Sequence, residues 1–133
     1  MPRRKPPPPL SELESEVMEE VWRHDEVTVR EVLEVLNRGA KERAYTTIMT
    51  IMNRLDAKGM LRRRRRGKTD VYRPVMSRVD YLEGRAGADV DELVADYGDV
   101  ALAHFARRLD SVDPEQLRRL RKLAEDSEGG GGR

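Results

Sequence analysis

Residues 60–74 read Met60-Leu61-Arg62-Arg63-Arg64-Arg65-Arg66-Gly67-Lys68-Thr69-Asp70-Val71-Tyr72-Arg73-Pro74. The pattern is a strand, a turn with its tip at Gly67-Lys68, and a second strand that Pro74 ends. Working back from it, Ile48, Ile51, Met52 and Leu55 recur at i, i+3, i+4 and i+7, which predicts a helix over about 44–58 that Gly59 stops. Thr28-Val29-Arg30-Glu31 is a capping box, and Val29, Val32, Leu33 and Leu36 behind it give one apolar face, so a second helix is expected over about 29–38. Ser11-Glu12-Leu13-Glu14 repeats the box ahead of Leu13, Val17, Val21 and Trp22, with Glu12, Glu16, Glu19 and Glu20 read as the opposite face of a helix reaching about Arg23. His24-Asp25-Glu26 reads as a polar break between these two helices, and Trp22 as a core anchor. Three helices followed by a β-hairpin is the order of a winged helix-turn-helix, a mainly α fold with a small β-hairpin wing.

Beyond Ser77 the character changes. Val79, Leu82, Ala86, Val90, Leu93 and Tyr97 keep a helical stripe that Gly84 and Gly87 weaken, and Leu102, Phe105, Ala106 and Leu109 form a second. Asp113-Pro114-Glu115-Gln116 then reads as N-cap, Pro at the first helical position and a polar third position, opening a last helix with Leu117, Leu120, Leu123 and Ala124. Stripes this thin bury little by themselves, and pairing with a second copy would cover them. The expected organisation is a disordered basic, proline-rich arm over 1–9, a winged helix domain over 10–76, a helical dimerisation region over 77–126 and a flexible tail over 127–133. No internal repeat is present.

The charge is uneven. The net charge of the 133 residues is +1, yet residues 1–74 hold 17 Lys+Arg against 12 Asp+Glu, giving +5, and residues 75–133 hold 9 against 13, giving −4. Residues 41–73 hold 11 against 3, or +8. This points to a polyanion-binding half joined to something else. Of the 26 basic residues 21 are Arg, whose planar fork suits phosphate and guanine, although a GC-rich genome would leave a similar excess.

The third helix carries an unusual outer face of Tyr45, Thr46, Thr47, Met49, Thr50, Asn53 and Arg54. Threonine is a poor helix former, while short hydroxyls, an amide and an arginine are side chains that reach base edges and phosphates in a major groove. Thr46, Thr47, Thr50 and Arg54 are therefore the candidate base- and phosphate-contacting residues, the alternative being an ordinary exposed helix surface. Tyr45 either touches DNA or buttresses the start of the helix. Arg43 just ahead of it joins the set. In the hairpin, the run Arg62–Arg66 with Lys68 and Arg73 is read as a phosphate-gripping wing, against a merely solvated charge run; alternation along a strand turns about half of these side chains toward a duplex. Arg64, Arg66 and Lys68 are the wing residues singled out.

Other classes of function find little support. With no cysteine, disulfides, thiolate metal sites and thiol catalysis are excluded. His24 beside Asp25 and Glu26, and His104, lack the partners a metal site needs, and no P-loop, dinucleotide fingerprint or nucleophile–base set occurs, so neither enzyme nor cofactor is expected. No apolar run approaches the roughly 18 residues of a membrane span. The first residues have basic character without an apolar segment and are not read as a signal peptide, so a soluble, cytoplasmic protein is expected.

The stretches Leu10-Ser11-Glu12-Leu13-Glu14-Ser15-Glu16-Val17-Met18, Val29-Arg30-Glu31-Val32 and Ala44-Tyr45-Thr46-Thr47-Ile48-Met49-Thr50-Ile51-Met52-Asn53-Arg54-Leu55, with Lys58-Gly59, resemble the penicillinase repressor family of BlaI/MecI type. The resemblance covers about residues 10–125; it is strong through Pro74 and afterwards rests on helix pattern and Phe105. It implies a homodimeric winged-helix repressor whose C-terminal helices interlock and whose recognition helices read double-stranded operator DNA, an inverted repeat of TACA/TGTA type. It carries Thr46, Thr47, Thr50 and Arg54 onto base- and phosphate-contacting positions and the wing contacts onto Arg66 and Lys68. It also implies release through a membrane sensor-protease or its effector, by cleavage in the C-terminal helices at an Asn–Phe bond. The matching pair here is His104-Phe105, which departs from the Asn–Phe pattern at its first residue. The C-terminal cysteine motif of copper-responsive relatives is missing. A reading of a different class makes the chain a winged-helix interaction module docking on an acidic partner; RNA binding fits less well, because exposed aromatics for stacking are lacking.

Overall fold

The computed structural model describes the backbone of residues 5–131 and the side chains of residues 5–126. Three helices, α1 (Glu12–His24), α2 (Val29–Leu36) and α3 (Tyr45–Ala57), are followed by strands β1 (Leu61–Arg66) and β2 (Thr69–Pro74), then by helices α4 (Arg78–Tyr97), α5 (Asp99–Asp110) and α6 (Pro114–Gly131). Both capping boxes form. The backbone N–H of Glu14 donates to Ser11 Oγ at 3.2 Å and that of Ser11 to Glu14 Oε1 at 2.8 Å, and Thr28 and Glu31 exchange the same pair of bonds. Helix α2 ends at Leu36, short of the expected 38, where Asn37 turns its amide across the loop: Nδ2 donates to Arg43 O at 3.0 Å and Oδ1 accepts from Arg43 N at 2.7 Å. One side chain thus takes the place of a backbone partner and sets where α3 begins.

The core is built from Val17, Met18 and Val21 of α1, Val29 and Val32 of α2, Ile48, Ile51, Met52 and Leu55 of α3, and Met60, Leu61 and Tyr72 from the hairpin and its approach. Burying each of the larger side chains contributes about 1.5–3 kcal/mol relative to leaving it exposed. The strands pair antiparallel, Leu61 opposite Pro74 through Arg66 opposite Thr69, and Gly67 opens the two-residue turn at φ +62°. Val27 adds a single bridge to β2: its N–H donates to Tyr72 O at 3.0 Å, and its carbonyl oxygen accepts from Tyr72 N–H at 2.8 Å. The residue just after the polar break His24-Asp25-Glu26 thus forms an isolated β-bridge to the hairpin.

Two further departures concern α1. Glu20, expected on the outer face, is 4% exposed, and its carboxylate is met within its own helix by Arg23 at 3.2 Å and His24 at 2.8 Å. Trp22 lies at the margin of the core, donating from Nε1 to Met76 O at 3.0 Å, with its ring centroid 5.5 Å from that of Tyr81.

The chain divides into two compact units, residues 1–88 and 89–133. The first turns of α4 are tied to the first unit: the Tyr81 ring lies tilted against Trp22, and Arg78 Nε reaches Glu19 Oε1 at 2.8 Å. The proline-rich arm joins them. Residues 1–4 lie outside the described residues; Pro7 and Pro8 are half-buried, Tyr81 Oη donating to Pro8 O at 3.3 Å and Arg85 to Pro7 O at 2.9 Å. Gly84 makes this possible, since a Cβ there would stand 2.6 Å from Pro7 Cδ. The glycine that weakens the helical pattern is the seat of the arm.

In the second unit, Gly98 breaks the path between α4 and α5 at φ +57°, and Asp113 caps α6 by accepting from Gln116 N at 2.7 Å. Helix α6 runs to Gly131, into the segment expected as a flexible tail; Gly132 and Arg133 lie outside the described residues. Ala101 is the one buried residue of the second unit among the described side chains, while Val90, Leu93, Tyr97, Leu102, Phe105, Leu109, Leu120 and Leu123 are exposed.

Candidate nucleic-acid interface

Helix α3 buries Ile48, Ile51, Met52 and Leu55 and leaves Thr46, Thr47, Thr50 and Arg54 on the opposite, exposed face. The 3.6-residue period alone brings these four together, at i, i+1, i+4 and i+8. Arg54 carries no ion pair among the described residues. Tyr45, 42% exposed at the start of the helix, lies under the Arg30 guanidinium, 5.7 Å from its ring centroid. Arg43 is held on both counts: its backbone by Asn37, its guanidinium by Glu16 at 3.3 Å. Of the residues read as DNA contacts, Arg43 and Tyr45 thus have protein partners, and the three threonines and Arg54 are presented to solvent.

The wing sorts its arginines by strand alternation. Arg63 and Arg65 share a side with Leu61 and are engaged within the fold, Arg63 with Asn53 Oδ1 at 3.0 Å and Arg65 with Asp70 at 3.4 Å. Arg62, Arg64 and Arg66 alternate with them. Arg66 is drawn, with Arg73 at 3.1 Å, onto the carboxylate of Glu26. Arg62, Arg64 and Lys68 are exposed and carry no ion pair among the described residues. The sequence reading gave no hint of the contacts made by three residues: Glu26, which gathers two wing arginines; Asn37, which braces the turn; and Asn53, placed there on the outer face of α3 but bonded to the wing. Asn53 Oδ1 also accepts from the Tyr72 hydroxyl at 2.7 Å. Burial pushes the Tyr72 phenol above its ordinary value, with Arg63 opposing.

On α5, His104 and Phe105 are exposed, and the His104 ring contacts Arg107 at 3.2 Å. Among the described residues no group of three or more His, Asp or Glu is placed to hold a metal ion, and no helix is long and apolar enough to cross a membrane.

Comparison with known proteins adds independent findings. Residues 10–126 match the sequence model of a family described as penicillinase repressor. The chain is 37% identical over 129 residues to a transcriptional regulator BlaI of Mycobacterium tuberculosis, spanning 93% of this chain and 89% of that protein. It is 26% identical over 119 residues to a penicillinase repressor of Bacillus licheniformis, spanning 90% and 91% respectively. The solution structure of the DNA binding domain of the repressor BlaI superposes with a TM-score of 0.50 at 33% identity, covering 59% of this chain and 94% of that one.

Proposed function

The chain belongs to the penicillinase repressor family, and we propose that it is a DNA-binding transcriptional repressor that holds operator DNA through α3 and the wing. The family is one of transcriptional repressors rather than enzymes. The observation that carries the reading is one exposed surface: Thr46, Thr47, Thr50 and Arg54 on α3, beside a wing whose Arg62, Arg64 and Lys68 pair with no carboxylate among the described residues. Short hydroxyls and a guanidinium read base edges and phosphates, while the wing adds sequence-independent, salt-sensitive attraction. Arg43, Tyr45 and Arg66 belong to the same surface once DNA phosphate competes for their present partners.

The finer reading is a homodimer on an inverted repeat, in the cytoplasm where the DNA is. The exposed apolar residues along α4, α5 and α6 support it, since a second copy would cover side chains that this chain leaves in water. A membrane sensor-protease or its effector is the remaining partner of this reading, acting at His104–Phe105. That bond lies inside α5, so cleavage would need the helix to open locally.

Titrating a duplex with the whole TACA/TGTA inverted repeat against one with a single half tests this. Two chains are expected per whole repeat, with much weaker binding to the half. One chain per duplex, with equal affinity for both, would remove the dimer reading.

A further inference from the structure

We propose that Asn53 is a positioning residue that locks the wing to the recognition helix, so that base reading and phosphate gripping act as one rigid unit. The inference rests on the DNA-binding reading above and deepens it.

Asn53 stands three residues after Thr50 and seven after Thr46, on the face those threonines share. By position it belongs with the base readers. Its amide oxygen is nevertheless committed to the wing, accepting from the Tyr72 hydroxyl at 2.7 Å and from the Arg63 guanidinium at 3.0 Å. The orientation follows from chemistry, because a guanidinium has no acceptor and only the oxygen of the amide can face it.

Arg63 and Tyr72 are directly opposite each other in the hairpin, so a single carbonyl oxygen holds both strands at the same rung. Tyr72 is 1% exposed, and its backbone is bonded in turn to Val27. A second tie runs parallel to the first, the Arg63 N–H reaching Asp56 of α3 at 3.4 Å. The cations of the other side of β1, Arg62 and Arg64, are thereby fixed at a set distance from Thr46, Thr50 and Arg54.

Sequence-specific binding requires both sets to engage a duplex at once, and a rigid joint removes the ordering cost a loose wing would add. Non-specific binding needs only charge near phosphate and has no such requirement. The lock therefore acts on the difference between specific and non-specific affinity.

The test measures Asn53→Ala, Tyr72→Phe and the double variant of the full chain against an inverted-repeat duplex and a scrambled one. Each measurement is made at a temperature where melting curves show all proteins folded. Each single variant is expected to lose about tenfold on the repeat, the scale of one hydrogen bond, and to change less than about twofold on the scrambled duplex. The double variant is expected to be no worse than Asn53→Ala, because both changes cut the same joint. Loss in Asn53→Ala with wild-type binding in Tyr72→Phe would make Asn53 a direct DNA contact and overturn the proposal. Equal losses on both duplexes would overturn it as well, pointing to a general loss of the surface. If the wild-type chain itself fails to prefer the repeat, the DNA-reading surface is wrong and the lock falls with it.

Discussion

Lys58 Nζ lies 2.9 Å from Glu14 Oε1, joining the end of α3 to the first turn of α1. Glu14 is 2% exposed, and its other oxygen, Oε2, is buried without a hydrogen-bond partner among the described residues. Burial by itself would raise the Glu14 carboxyl, but the Ser11 backbone N–H and the Lys58 ammonium outweigh it, and the group sits below its ordinary 4.5.

A carboxylate held low in the folded state contributes stability that is complete above the unfolded value and is lost as pH falls through the folded one. Glu14→Gln should therefore cost about 1–2 kcal/mol at neutral pH. That difference from wild type should shrink once the solution is acidic enough to protonate Glu14 in the folded protein. Urea midpoints at neutral and strongly acidic pH check this, and a difference independent of pH would contradict it.

Gly84 and Pro7 make a second pair whose coupling has a sign. Alanine in a helix interior is favoured over glycine by about 1 kcal/mol, yet a Cβ at Gly84 meets Pro7 Cδ at 2.6 Å. Gly84→Ala alone should gain little or nothing, because the arm must leave its seat. In a Pro7→Ala background, where the ring atoms are gone, the same change should gain most of the helix term. Thermal melts of the four proteins close the cycle; additive effects would show that the arm is not seated on Gly84 in solution.

The wing arginines should differ among themselves. Arg64 has no carboxylate partner among the described residues, so Arg64→Ala should lower the slope of log affinity against log salt by about 0.9, one phosphate contact. Arg66 shares Glu26 with Arg73, so Arg66→Ala should change the slope less. Equal slopes for the two variants would mean that Glu26 releases Arg66 freely on DNA.

Glu26→Gln reverses the argument. Neutralising that carboxylate frees two guanidinium groups and removes a negative charge from the wing, so binding to a scrambled duplex should strengthen several-fold and its salt dependence steepen. Weaker binding would identify Glu26 as a support of the wing's shape.

Much of this molecule is legible in the sequence because its signals are local. The boxes at Ser11–Glu14 and Thr28–Glu31, the stripe Ile48–Leu55 and the turn at Gly67-Lys68 each lie within a few residues, where periodicity and capping chemistry apply. What escaped is long-range. Val27 pairs with Tyr72, Glu26 collects Arg66 and Arg73, and Pro7 seats on Gly84. Asn53 shows the limit most clearly: helical position puts it among base readers, but a tyrosine nineteen residues away claims its oxygen. Glu20 was misplaced for a related reason, since a buried carboxylate met by Arg23 and His24 of its own helix leaves no trace in an apolar pattern.

In the proposed function α3 reads sequence while the wing supplies charge. Fluorescence anisotropy of wild type and Arg54→Ala on an inverted-repeat duplex and a scrambled one, across a salt series, tests it most directly. Wild type is expected to favour the repeat by about a hundredfold or more, and Arg54→Ala to lose about 1–3 kcal/mol on the repeat with little change on the scrambled duplex. Equal, weak binding of wild type to both duplexes would contradict it, leaving a basic surface with some other partner.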